Sequence, residues 1–233
     1  MECGLTGKLK AKFQKLCQRH SELFFKSPDY VPCLRRRDGS VIEETLGLRE
    51  DAVLKFRPPI GLSTEQRKVL GEYIERKLKN GTLKRLEPQP WSSQVMLVPK
   101  NRKDEDGNQV WRFVMSHVDL NKNCKFRHFD MPKPRELLAR LPRESKFFHF
   151  MDAMDSFDSV KLRDDQCAYT AFQIPRKDGK GHEFIGNTRV PQGSLNSTGT
   201  LIKVYRELFG DLDEYLKWYC DDAIASSTSQ GIF

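Results

Sequence analysis

The stretch "WYCDDAIASS", Trp218 to Ser227, sets two carboxylates side by side, Asp221 and Asp222, inside a segment that otherwise reads as strand. Aspartate is disfavoured in strands. The flanks, "YLKWY" before and "AIASS" after, suit a hairpin with the Asp pair at its turn. Asp-Asp is a poor two-residue connection compared with Asn-Gly or Asp-Gly. Something other than turn chemistry therefore favours acids at this point. A third acid lies upstream: "KFFHFMDAM" is an apolar run that reads as a buried strand closing at Asp152. If the two strand ends are neighbours in one sheet, three carboxylates meet, and unneutralised they raise one another's pKa. A hard divalent cation removes that conflict, and Mg²⁺ takes a few carboxylates together with substrate phosphates.

Composition bounds the rest. The 233 residues are 38% hydrophobic and 31% charged, with a formal net charge of +8. The basic balance favours polyanionic partners, nucleic acid among them. No apolar run approaches the length of a membrane span, and "MECGLTGKLK" lacks the apolar core of a signal peptide. The expectation is an intracellular chain, cytoplasmic or in a nucleoprotein particle. The six cysteines include no C-x-x-C pair, which argues against zinc and for reduced thiols.

Further elements follow along the chain. Leu9, Phe13, Leu16 and Cys17 fall at helical spacing in the first segment. "STEQRKVLGEYIERKLKNG" predicts a second helix, with a Ser63/Gln66 capping box, an Asn80-Gly81 stop, and Leu70, Tyr73, Ile74, Lys77 and Leu78 on one face. "WSSQVMLVPKNRKDEDGNQVWRFVM" reads as a hairpin with basic residues on both arms. "MPKPRELLARL" is a proline-started helix. "CAYTAFQIP" and "HEFIGNTRV" read as paired strands around a Lys-Asp-Gly-Lys-Gly turn, and "SLNSTGTLIKVYRELFG" as a helix carrying Leu201, Val204, Tyr205 and Leu208 inward. Hairpins interleaved with helices imply an α+β fold with a mostly antiparallel sheet.

Four stretches in this order, "FMDAMDSFDSVKL", "TAFQIP", "VPQGSLNS" and "YCDD", resemble the consecutive palm motifs of reverse transcriptases. The hairpin resembles the fingers of the same family, and "FDMPKPRELLARL" its link into the palm. The likeness is to long-terminal-repeat retrotransposon and retroviral polymerases, Ty3/gypsy-like or Pao-like. It implies a right-hand polymerase fold: an N-terminal helical and linker segment over 1–44, a fingers-like region over 45–130 with a part returning around 160–190, and a palm-like region over 131–233. It implies RNA-directed DNA polymerase activity with two Mg²⁺ ions (Mn²⁺ as a substitute), dNTP, an RNA or DNA template–primer, and the remainder of a Pol polyprotein as partners.

The resemblance carries roles onto single residues. Asp152 and Asp221 match the metal-binding acids and Asp222 the acid beside them. Asp155 and Ser156 match the stretch whose amides cradle the triphosphate, and Phe157 the aromatic gate under the sugar. Gln192 and Gly193 match the pair beside the incoming nucleotide and template. Arg112, with Lys100 or a neighbour, matches the fingers cations. Tyr219 and Cys220 fall near the primer end. His117 receives no chemistry. Departures also occur. Ser116 and Val118 replace an Asp and an Arg that the family's fingers usually carry, Thr198 stands where Pro is common, and the sequence stops at Phe233, before a primer grip, thumb or RNase H domain. The expectation is little or no processive synthesis from this chain alone, as a fragment of a longer polyprotein or a decayed copy. Two rival readings stay open: an RNA-dependent RNA polymerase, since Asp158 lies six residues after Asp152, and a non-catalytic remnant binding nucleic acid or protein through its basic surface.

Overall fold

The computed structural model describes residues 7–19, 31–176 and 180–228. Helix α1 spans Gly7–Arg19. The side chains expected on its apolar face, Leu9, Phe13, Leu16 and Cys17, lie outside the described residues, as does the centre of the turn over 177–181. Strand β1 (Glu43–Glu44) is followed by α2 (Thr64–Lys79), β2 (Leu83–Leu86) and the pair β3 (Val95–Lys103) and β4 (Gln109–Met115). Then come the short helices α3 (Val118–Lys122) and α4 (Pro134–Ala139), strand β5 (Phe147–Asp152) and β6 (Lys161–Leu162). Strands β7 (Phe172–Pro175) and β8 (His182–Asn187), helix α5 (Ser197–Phe209), and strands β9 (Leu216–Tyr219) and β10 (Asp222–Ser227) complete the order.

Local chemistry accounts for α2. The Ser63 side chain accepts from the Gln66 amide at 3.2 Å, and the Gln66 side chain accepts from the Ser63 amide at 3.0 Å. That satisfies two otherwise orphaned donors. The helix ends at Asn80, and Gly81 takes a φ of +73° that glycine adopts without steric cost. Its inward face buries Leu70, Ile74 and Lys77.

The sheets are small and mostly antiparallel. One runs β5–β10–β9, a second β2–β8–β7 and a third β3–β4, while β1 and β6 pair in parallel. Helix α2 packs on the second and third, where Leu70, Ile74, Val95, Phe172 and Ile185 form one core. Helix α5 packs Leu201, Val204 and Tyr205 with Ile42 and Val160 in another, with Trp218 of β9 against it. A third cluster joins Leu46, Leu120, Leu162 and Cys167. No helix among the described residues is long and apolar enough to cross a membrane.

The structure departs from the sequence reading at several points. β2 was not anticipated: "LKRL" alternates charge with leucine and becomes a strand only by pairing with β8. Residues Asp164–Thr170 form a 3-10 helix instead of extending β7. β5 is not buried: Phe148, Phe150 and Met151 are exposed, because it is the edge strand of a sheet with an open face.

Candidate active site

Asp152 is the last residue of β5 and Asp222 the first of β10, and the two stand directly opposite in the antiparallel ladder. Opposed residues project to one face, with Cβ atoms about 4.5–5.5 Å apart. On its other side Asp222 pairs with Tyr219. The connection is therefore Cys220–Asp221, one residue earlier than the Asp221–Asp222 turn expected from the sequence, because Asp222 already belongs to the ladder. Cys220 takes a φ of +55°. The first position of such a turn favours glycine, and a residue with a Cβ there costs about 1–2 kcal/mol. The amide of Ala153 donates to the Asp221 carbonyl at 2.8 Å. That bond fixes the tip of the hairpin to the residue after Asp152.

The two outer acids are exposed and Asp221 is half-buried. Tyr205, buried on α5, reports on their proximity. Burial first, then the charges of Asp221 and Asp152, push its phenol up to about 12, against a lowering hydrogen bond with Ser156. The Tyr205 ring also packs 4.1 Å from that of Trp218, so α5 supports the hairpin from behind. Cys220 is a half-buried free thiol. Its pKa is raised by burial and then by Asp221 and Asp222, which makes it a poor nucleophile. Beside the acids opens a cleft of ≈ 470 Å³ walled by Leu137, Leu138, Phe150, Lys217, Tyr219 and Ile224.

The segment after Asp152 turns at once. Asp155 has a φ of +49°; it and Cys220 are the two non-glycine residues with positive φ among the described residues. Such strain collects at sites that the surrounding structure over-determines. Residues Ser156–Ser159 form a 3-10 turn, closed by the Asp158 amide donating to the Asp155 carbonyl at 2.9 Å. Ser156 is buried, and Phe157 packs with Val160 and Tyr205.

Gln192 and Gly193 sit on an exposed turn where Gly193 takes a φ of +86°. Asn121 of α3 holds this turn, donating to the Gly193 carbonyl at 3.1 Å and accepting from the Leu195 amide at 2.8 Å. His117 packs beneath it, 3.8 Å from where a Gly193 Cβ would stand. Desolvation lowers the His117 pKa from 6.5 to about 4, and its Nδ1 has no partner among the described residues. Arg112 is exposed on β4 opposite Val98, and Lys100 lies at the irregular end of the same ladder, where its carbonyl accepts from Gln109. No hydrogen bond or ion pair among the described residues joins either cation to the acids.

The structure thus brings together Asp152, Asp221, Asp222, Tyr219 and Cys220, with Asp155, Ser156 and Phe157 directly following. Gln192 and Gly193 stand on a separate turn, Lys100 and Arg112 on a separate sheet. Sequence reasoning missed Tyr205, Asn121 and Lys77 as parts of this surround. Only Lys77 left a signal, a cation on an otherwise apolar helix face. No group of three or more His, Cys, Asp or Glu side chains among the described residues is arranged to hold a metal ion as it stands. The donor chemistry nonetheless fits a hard cation: the acids offer carboxylate oxygens, open to solvent at Asp152 and Asp222, with no ion pair to a Lys or Arg among the described residues.

Comparison with known proteins bears on the whole chain. Over 175 residues it is 23% identical to a putative enzymatic polyprotein of Cassava vein mosaic virus, covering 74% of this chain and 26% of that protein. Over 225 residues it is 20% identical to the retrovirus-related Pol polyprotein from transposon 412 of Drosophila melanogaster, covering 95% and 17%. A 125-residue stretch is 28% identical to the Gag-Pol polyprotein of Feline leukemia virus, covering 54% of this chain and 7% of that one. The chain therefore spans about a quarter or less of these relatives. Among solved structures, the protease-reverse transcriptase of Prototype Foamy Virus superposes with a TM-score of 0.78 at 20% identity, over 97% of this chain and 28% of that one. The same foamy viral protein in complex with an RNA/DNA hybrid gives 0.76 at 20% identity, over 97% and 28%. This likeness shows the α+β fingers-and-palm fold. The family described as "Reverse transcriptase (RNA-dependent DNA polymerase)" matches residues 50–232, most of the chain, and the chain belongs to that family.

Proposed function

We propose that the chain adds deoxynucleotides to a primer 3′-hydroxyl under the direction of an RNA or DNA template. The observation that carries this reading is the ladder register that opposes Asp222 to Asp152, with Asp221 in the adjoining turn. In the reaction the primer 3′-oxygen bonds to the α-phosphorus, the bond to pyrophosphate breaks, and the hydroxyl proton leaves to solvent. Asp152, Asp221 and Asp222 would hold two Mg²⁺, or Mn²⁺ in their place, which when bound offset the charge on the attacking and leaving oxygens.

The remaining roles belong to the chain's own groups. Backbone amides at Asp155 and Ser156 face the triphosphate. The Phe157 ring lies under the sugar and excludes a 2′-hydroxyl, the group that separates RNA from DNA precursors. Gln192 and Gly193 border the incoming nucleotide and the template, the glycine permitting close backbone approach. Arg112 can fork onto phosphate oxygens and Lys100 act as a point charge. Tyr219 and Cys220 border the primer end. In this reading residues 45–130, with 160–190 returning to them, are fingers, and 131–233 are palm. The relatives named as Pol polyproteins, and the foamy viral structures with an RNA/DNA hybrid and with double-stranded DNA, support nucleic acid as partner and a polyprotein context.

Single-nucleotide extension of a primer annealed to an RNA template, with Mg²⁺, tests the reading. Incorporation of dNTP in preference to the matching ribonucleotide is expected. Preference for the ribonucleotide would transfer the chain to RNA synthesis, and absence of any extension would overturn the polymerase reading for this chain.

A further inference from the structure

Helix α2 buries a lysine on the face that otherwise carries Leu70 and Ile74. The Lys77 side chain is 8% exposed, and its Nζ meets the carboxylate of Asp158 and lies 3.9 Å from Oδ2 of Asp155. Those two acids bracket one 3-10 turn: Asp155 precedes Ser156–Ser159, and the Asp158 amide closes back on the Asp155 carbonyl. A packing position on such a face is filled at lower cost by Leu or Met, since burying an ammonium is favourable only when its partners hold it closely. Lys77 also leads outward. Its Nζ stands 5.8 Å from the centre of the Tyr73 ring, and Tyr73 stacks on Phe113 of β4 at 4.6 Å. Phe113 is the neighbour of Arg112. The turn it grips begins three residues after Asp152 and carries Ser156 and Phe157.

We infer that Lys77 is a positioning residue: one ammonium from the fingers helix α2 fixes the Asp155–Asp158 turn and so sets where Ser156 and Phe157 stand against an incoming nucleotide. The positional part rests on geometry alone; its consequence for nucleotides rests on the function proposed above. Asp155 occupies the left-handed backbone region without being a glycine, and a conformation of that kind persists only where its surroundings hold it. The ammonium that reaches both ends of the turn is such a restraint.

Hydrogen exchange on the full chain tests this, reading the amides of Asp158 and Val160, which bond within the turn. Lys77→Met keeps the side-chain volume and removes the charge; Asp158→Asn removes the partner. In both, these two amides are expected to exchange about tenfold faster or more while those of α5 stay unchanged, as for a local opening. Lys77→Arg keeps most of the protection. Exchange within about twofold of the wild type in both variants would leave Lys77 a packing residue and overturn the inference. If Lys77→Met does not fold, Asp158→Asn decides. In primer extension the same variants should raise the KM for dNTP about tenfold with kcat little changed. A wild-type chain that extends nothing would sink the proposed function and leave the exchange result standing.

Discussion

His117 is 5% exposed, and burial alone holds its pKa near 4 rather than 6.5. Between those values the unfolded chain takes up a proton that the folded chain refuses, so this residue makes stability fall as the pH drops from 6.5 toward 4. The loss approaches about 1.4 kcal/mol per pH unit and totals about 3 kcal/mol. Urea denaturation across that range should show the slope, and His117→Phe should flatten it. A second prediction concerns Phe157. Phe157→Val shortens the side chain proposed to lie under the sugar, so the preference for deoxy- over ribonucleotides should fall by tenfold or more, about 1.4 kcal/mol per tenfold, in competitive incorporation. At this scale, the acids of the candidate site were legible as a group. Asp152, Asp221 and Asp222 stood out as acids in apolar strands. Tyr205 did not, because a tyrosine on a helical apolar face looks the same whether it faces lipophilic neighbours or two carboxylates.

Among elements, α2 and α5 were the most legible, because capping and a 3.6-residue period are written locally. Ser63 with Gln66 and the row Leu70, Ile74 foretold α2 within a residue or two of its ends. Strand pairing was less legible. Nothing in "LKRL" announces that it will pair with residues 184–187, about a hundred positions later. Nor does any local pattern place Asp222 opposite Asp152 and move the turn to Cys220–Asp221; register is a property of two strands together. The open face of β5 was hidden for the same reason, since apolar residues look alike whether or not another layer covers them. Two predictions belong here. Ile74 is fully buried in the α2 core, so Ile74→Ala should cost about 2–5 kcal/mol in denaturant titration. Gly199 on α5 lets Phe129 lie against the helix: a Cβ there would stand 2.2 Å from the Phe129 ring. Gly199→Ala should therefore destabilise by about 1–3 kcal/mol through overpacking, despite alanine's better helix propensity.

For the molecule as a whole, the parts of the proposed centre reach it from distant points of the chain. α2 supplies Lys77, α3 holds the Gln192–Gly193 turn through Asn121, and α5 backs the β9–β10 hairpin through Tyr205. The basic balance of +8 suits a nucleic-acid partner, while three acids with no Lys or Arg ion pair among the described residues concentrate negative charge at one sheet end. In the function proposed above, a divalent cation would join the acids to the phosphates of a nucleic-acid partner. Titration with Mn²⁺, followed by its paramagnetic resonance, tests that directly and needs neither template nor primer. The account predicts Mn²⁺ binding that Mg²⁺ displaces, weakened at least about tenfold in both Asp152→Asn and Asp221→Asn while the circular dichroism stays native. Binding that is unchanged in those two folded variants would contradict it.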